Sequence, residues 1–171
     1  MTRDTELRDA FDRGFAAAPP PPAPPHTDFL CLRIGGEPAA VVLAEIASLH
    51  ADLPIVALPT RAPELLGVAA IRAVIVPIYD LAVAVGATTT GAPRWIVLVR
   101  GGAAGFAFEI CDGHARAPDR SIATAPAGAA RRGHVRGQLA VSDPPRAIID
   151  LGSVLTAIET RWQRTGTAKD A

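Results

Sequence analysis

Two stretches of this chain carry the same signal at the same spacing. Gly67 is followed thirteen residues later by Asp80-Leu81, and Gly137 is followed thirteen residues later by Asp150-Leu151. Each Asp-Leu pair ends an isoleucine-containing strand pattern and opens a helical one. Gly35-Gly36 and Gly101-Gly102 likewise follow strand patterns of similar length. Two copies of a strand-rich unit of roughly sixty residues predict two small lobes, each curled toward a barrel because closure removes a sheet's exposed edges. The expected class is mainly β with short helices.

In chain order, residues 29–34 and 39–43 read as a hairpin about Gly35-Gly36, followed by a strand at 45–49 and an extended connector at 53–59. Ala62-Pro63 suit a helix start, with Gly67 as its left-handed end. Residues 68–78 carry β-branched side chains on both parities, which predicts strands covered on both faces. Pro77 cannot donate to a ladder and belongs at a strand edge or end. Asp80 offers an N-cap oxygen to a short apolar helix closed by Gly86.

After the turn formers of 88–93 the pattern begins again, with strands at 95–100 and 105–111 and the turn pair Asp112-Gly113. Residues 114–122 read as loosely extended, 123–133 as a surface loop containing Arg131-Arg132. The helix at 153–162 puts Leu151, Val154, Leu155, Ile158 and Trp162 on one side.

Outside this region, Leu7, Phe11 and Phe15 recur at i, i+4 and i+8 within residues 1–18, an amphipathic docking helix or a frayed tail. Residues 19–27 form a proline-rich linker that would hold that helix roughly 20 Å from the domain. Residues 164–171 read as a tail. The net charge of zero argues against nucleic acid, whose binding needs several phosphate-neutralising cations. No apolar run reaches the length of a membrane span, and no signal-peptide core opens the chain. Cys31 and Cys111 read as buried thiols of a reducing cytoplasm.

No catalytic constellation is legible. Ser48, Ser121, Ser142 and Ser153 lack the context of an activated nucleophile. His26, His50, His114 and His134 form no close pair at metal-ligand spacing, so neither metal nor cofactor is expected. The glycines of 101–105 join two strands and lack a following Lys-Ser or Lys-Thr, so they read as a hairpin rather than a phosphate cradle. Asp80 and Asp150 read as helix caps rather than an acid–base pair. Arg72 stands out as a fixed charge in an apolar run, with Glu45 as its expected ion-pair partner.

The stretch 64–81 resembles the signature of the chemotaxis coupling proteins, the CheW-like domains. That pattern runs Gly, two residues, Asn, an aliphatic residue, Arg, Gly, an apolar run, Pro, then Asp-Leu. It is matched at Gly67, Ile71, Arg72, Pro77, Asp80 and Leu81, and left at Ala70 for the asparagine and Ala73 for the glycine. Asp112-Gly113 and Gly137 match further family positions.

The resemblance implies two pseudo-repeated five-stranded barrel-like lobes, about 28–87 and 94–160, in a domain at 28–163. It also implies a cytoplasmic adaptor without catalysis, coupling a chemoreceptor's cytoplasmic tip to the regulatory domain of a histidine kinase at receptor clusters on the inner membrane. Arg72 and Glu45, with Leu43 and Val74 beside them, are the implied partner interface. The two alanines predict a more regular strand beside Arg72, and they motivate a second reading, a divergent relative that binds only kinase or only receptor. A small-molecule enzyme or binding protein on a barrel scaffold is the remaining alternative.

Overall fold

The structure, a computed structural model, describes residues 25–101, 104–124, 133–141 and 143–167. The anchors Leu7, Phe11 and Phe15, the prolines before Pro25, and Arg131-Arg132 lie outside the described residues. Eleven strands are described: β1 (His26–Ile34), β2 (Glu37–Val42), β3 (Ile46–Ala51), β4 (Leu65–Ile71), β5 (Val74–Asp80), β6 (Trp95–Val99), β7 (Gly105–Phe108), β8 (Ile110–Pro118), β9 (Ile122–Thr124), β10 (Val135–Leu139) and β11 (Arg146–Ile149). Helix α1 (Leu81–Ala84) follows β5, and α2 (Leu151–Thr167) follows β11.

The strands form two sheets, one ordered β8-β1-β2-β11-β10-β9 and one β3-β6-β7-β5-β4. The second sheet has the five strands expected, and the first has six. Val56 bridges Val68 on the free side of β4, the place that β9 takes beside β10. With that bridge counted, the two sheets have the same order. In each, a parallel pair joins an N-terminal hairpin to a C-terminal one, β2 with β11 and β7 with β5.

The sheets do not follow the halves of the sequence. The hairpin β1–β2 of the first repeat pairs with strands of the second, and β6–β7 of the second pairs with β3 and β5 of the first. Contiguous lobes at 28–87 and 94–160 are therefore not what the chain builds, because each repeat lends its hairpin to the other sheet. The linkers explain the exchange. Leu43–Glu45 is a single 3-10 turn with extended backbone on both sides, which carries the chain onward instead of reversing it. Glu109 alone separates β7 from β8.

Three apolar clusters match this arrangement. The five-stranded sheet curls about Ala69, Ile71, Val76, Ile78, Ile96 and Leu98, with Leu53 and Ile55 packed against them. The six-stranded sheet encloses Phe29, Ala40, Ala117, Leu139 and Ile148. The largest cluster draws on both sheets and both helices, with Leu32, Leu81, Phe106, Leu151, Val154 and Ile158 at most 1% exposed. Small residues make the tight interiors possible. A Cβ on Gly105 would lie 2.7 Å from Ile78 Cδ1.

Gly67 is not a helix terminator. It lies within β4 at a bulge, with φ of 145°, and residues 65 and 66 extend the ladder toward Tyr79. The helix start read at Ala62-Pro63 is a turn, overridden by pairing with β5. Gly137 stands at the matching irregularity in β10. Pro77 fits its expected place: β5 pairs with β7 only from Ile78 onward, so the missing N–H falls where the strand has one neighbour. Residues 110–118 are a nine-residue strand along β1 rather than a loose segment. Asp112-Gly113 is a bulge in it rather than a turn, with Leu32 opposite Cys111 and Cys31 opposite Gly113. Both thiols are free, and burial raises the pKa of Cys31.

Candidate partner-binding surface

The four sequence candidates fall in two pairs on two elements. Leu43 and Glu45 lie in the 3-10 crossover between β2 and β3. Arg72 and Val74 lie at the end of the β4–β5 hairpin, where Ile71 pairs with Val74.

The crossover is held by arginines from the second repeat. Arg100 N donates to Glu45 O at 2.7 Å. Its Nε donates to Ala44 O and its Nη2 to Ile46 O at 3.4 Å. Arg136 Nη2, on β10, donates to Glu45 Oε1 and also lies 3.7 Å from Asp150 Oδ2. The other carboxylate oxygen of Glu45 is buried without a hydrogen-bond partner among the described residues. These contacts tie the crossover to the cap of α2, and leave Leu43 39% exposed.

The expected Glu45–Arg72 pair is not made. Glu45 is taken by Arg136, and Arg72 is a turn residue, not a strand residue. Arg72 and Ala73 have φ of 50° and 62°, the two successive left-handed residues of a type I′ hairpin turn. The alanine therefore does not make a strand more regular. It occupies a left-handed position where glycine would be unstrained. The side chain of Arg72 projects from the tip, exposed and without a hydrogen bond or ion pair among the described residues.

Beside it, Val74 is 58% and Ile75 72% exposed. Ala70 lies across from Ile75 and Val68 across from Pro77, so an apolar strip continues down the outer face of the hairpin. Ile75 was missed by sequence reasoning, although its parity opposite Ala70 could have placed it. Arg100 and Arg136 were missed because they come from the other repeat, and only the exchanged topology brings them to Glu45.

The polar groups elsewhere do structural work. Asp112 accepts from Arg146 Nη1 at 2.8 Å and from Arg33 Nε at 3.4 Å. Glu109 accepts from the Thr90 and Gly91 amides and from the Thr90 hydroxyl, which fastens the 88–93 linker. Ser153 Oγ contacts His134 Nδ1 at 2.9 Å and donates to Asp150 O, while the Asp150 carboxylate accepts from Ser153 N. The aspartate thus serves the helix cap and does not orient the histidine. Burial, reinforced by the Arg161 charge, holds His134 below the usual histidine range against the pull of Asp150. Among the described residues no three His, Cys, Asp or Glu side chains gather as a metal-ligand set. No described helix is long and apolar enough to cross a membrane.

A family model described as the CheW-like domain matches residues 28–159. Among solved structures, the crystal structure of the scaffolding protein TtCheW from Thermoanaerobacter tengcongensis aligns with a TM-score of 0.63. The alignment covers 72% of this chain and 88% of that chain, with 20% of residues identical. At that identity the likeness speaks to the fold. No curated protein matches the sequence significantly.

Proposed function

Because the chain belongs to the CheW-like domain family, a family of scaffold and coupling proteins without catalysis, we propose that it is a signalling adaptor that couples a chemoreceptor to a histidine kinase. The observation that carries this reading is the end of the β4–β5 hairpin. There the family's arginine position, Arg72, presents a guanidinium with no partner among the described residues, beside the exposed Val74 and Ile75. A planar fork of donors flanked by apolar surface suits a partner offering carboxylates or carbonyls within a hydrophobic contact. Leu43 and the crossover at Glu45 supply a second surface, stiffened by Arg100 and Arg136.

The partners in this reading are the kinase regulatory domain and the receptor's cytoplasmic tip, met at receptor clusters on the cytoplasmic side of the inner membrane. A pull-down from the native cell, scored separately for kinase and receptor, tests it. Recovery of both supports the adaptor, and recovery of neither removes it. Recovery of only one favours the divergent relative, which Ala70 and Ala73 motivate because both lie on the exposed hairpin and differ from the family pattern.

A further inference from the structure

The start of β1 lines a groove. His26, Thr27 and Asp28 line it together with Leu43, Leu49 and Arg100 among others. Leu43 and Leu49 are 39% and 37% exposed there, two apolar anchors left open by the domain. Arg100 spends its donors on the carbonyls of Ala44 and Ile46 and meets no carboxylate among the described residues. The preceding twenty-five residues therefore join the domain at a groove-lining residue, His26.

That preceding chain carries the matching features. Leu7, Phe11 and Phe15 form one apolar stripe, and Asp4, Glu6, Asp9 and Asp12 outnumber Arg3, Arg8 and Arg13 by one. The lengths also agree. At about 1.5 Å per residue, a helix over residues 3–15 would span roughly 20 Å. At about 3.1 Å per residue, the prolines of 19–25 span roughly 20 Å as well. Equal lengths of tether and helix would let the stripe reach back over the groove mouth if the chain reversed at the three alanines of 16–18.

We propose that residues 3–15 dock in cis in this groove, with Leu7, Phe11 and Phe15 set on Leu43 and Leu49. Apolar anchors at i and i+4 laid into a groove are a standard recognition mode. The tether makes the contact intramolecular, so weak intrinsic affinity is sufficient where its length matches the span. Docking also supplies the packing that a helix of this length lacks alone. If the adaptor reading holds, the docked segment covers Leu43, and a partner that uses Leu43 has to displace it. That consequence rests on the adaptor reading; the docking itself does not.

Amide hydrogen exchange on the full chain tests the docking without any partner. β3 is an edge strand, so its outward amides report cover directly. The double variant Phe11→Asp/Phe15→Asp should raise exchange at residues 43–49 several-fold and leave residues 96–99 of β6 unchanged. Leu49→Asp should reproduce the effect at Leu43 and Ala44 from the groove side. Equal exchange in wild type and the double variant would overturn the proposal. Protection that grows with protein concentration would place the segment on a second copy, and would equally overturn docking in cis.

Discussion

Asp80 and Asp150 hold the same post in two interlocked repeats. Each backbone N–H reaches back across its hairpin, from Asp80 to Glu64 O at 2.7 Å and from Asp150 to His134 O at 2.8 Å. Each Oδ1 then accepts from the amide three residues on, Val83 N at 3.1 Å and Ser153 N at 2.9 Å. The caps differ in burial: Asp80 is 6% exposed, while the Asp150 side chain is 38% exposed. Asp80 also accepts from the Thr89 hydroxyl at 3.2 Å. Asp150→Ala should therefore cost about 1 kcal/mol, the usual price of an N-cap. Asp80→Ala should cost roughly 2 kcal/mol or more, because it adds an unsatisfied partner in a buried site. Urea unfolding of the two variants checks the order, and the reverse order would contradict it.

The paired glycines make a second prediction. A Cβ on Gly67 would lie 2.1 Å from Val56 O, and φ there is 145°. A Cβ on Gly137 would lie 2.8 Å from Ala123 O, with no left-handed backbone to strain. Both glycines let a neighbouring strand approach the bulge, but only Gly67 combines a backbone clash with a conformation closed to L-residues. Gly67→Ala should cost more than about 3 kcal/mol and Gly137→Ala clearly less, by denaturant melts. Similar costs for both would contradict the assignment.

Acid stability reports the Asp112 bulge. Burial works against its carboxylate, but the hydrogen bond from Arg146 and the charges of Arg33 and Arg146 outweigh it and hold the pKa below the usual value. A carboxyl whose pKa is lowered by folding contributes stability above its unfolded pKa, about 3.9 for aspartate. That contribution is lost as the pH falls through the lower, folded value. The stability gap between wild type and Asp112→Asn should thus be greatest above about pH 5 and close in stronger acid. A gap that does not change over this range would mean that the charge of Asp112 contributes nothing.

Much of this was legible in the sequence, and what was not has a physical reason. The duplicated glycine and Asp-Leu spacing pointed to both caps and the repeat, because capping chemistry is local, whereas the bulges at Gly67 and Gly113 depend on pairing with a neighbouring strand and were not legible. The helix start at Ala62-Pro63 failed because pairing of Leu65 with Tyr79 overrides local preference. The Glu45–Arg72 pair failed for a longer-range reason. Sequence proximity within one repeat suggested it, but the exchange of hairpins brings Arg136 of the other repeat to Glu45. Arg72 was read as a strand residue because the run around it is apolar on both sides. Only two successive positive φ values identify the turn.

That turn gives a prediction at Ala73. A left-handed L-residue costs about 1–2 kcal/mol, and glycine costs roughly 0.5–1 kcal/mol in chain entropy. Ala73→Gly should therefore stabilise the protein by about 0.5–1 kcal/mol. Thermal melts would show it as a small rise in Tm. A fall would mean that the turn adopts another conformation in solution.

The central claim is that Arg72 acts at a partner interface and not within the fold. The most direct measurement is titration calorimetry of wild type and Arg72→Ala with a kinase regulatory domain and, separately, with a receptor-tip fragment. Arg72 makes no hydrogen bond or ion pair among the described residues, so the variant should unfold at the wild-type denaturant midpoint. It should lose roughly 1–3 kcal/mol of affinity for at least one partner, the range for a charged hydrogen bond at an interface. Unchanged affinity of the variant for both partners would contradict the account.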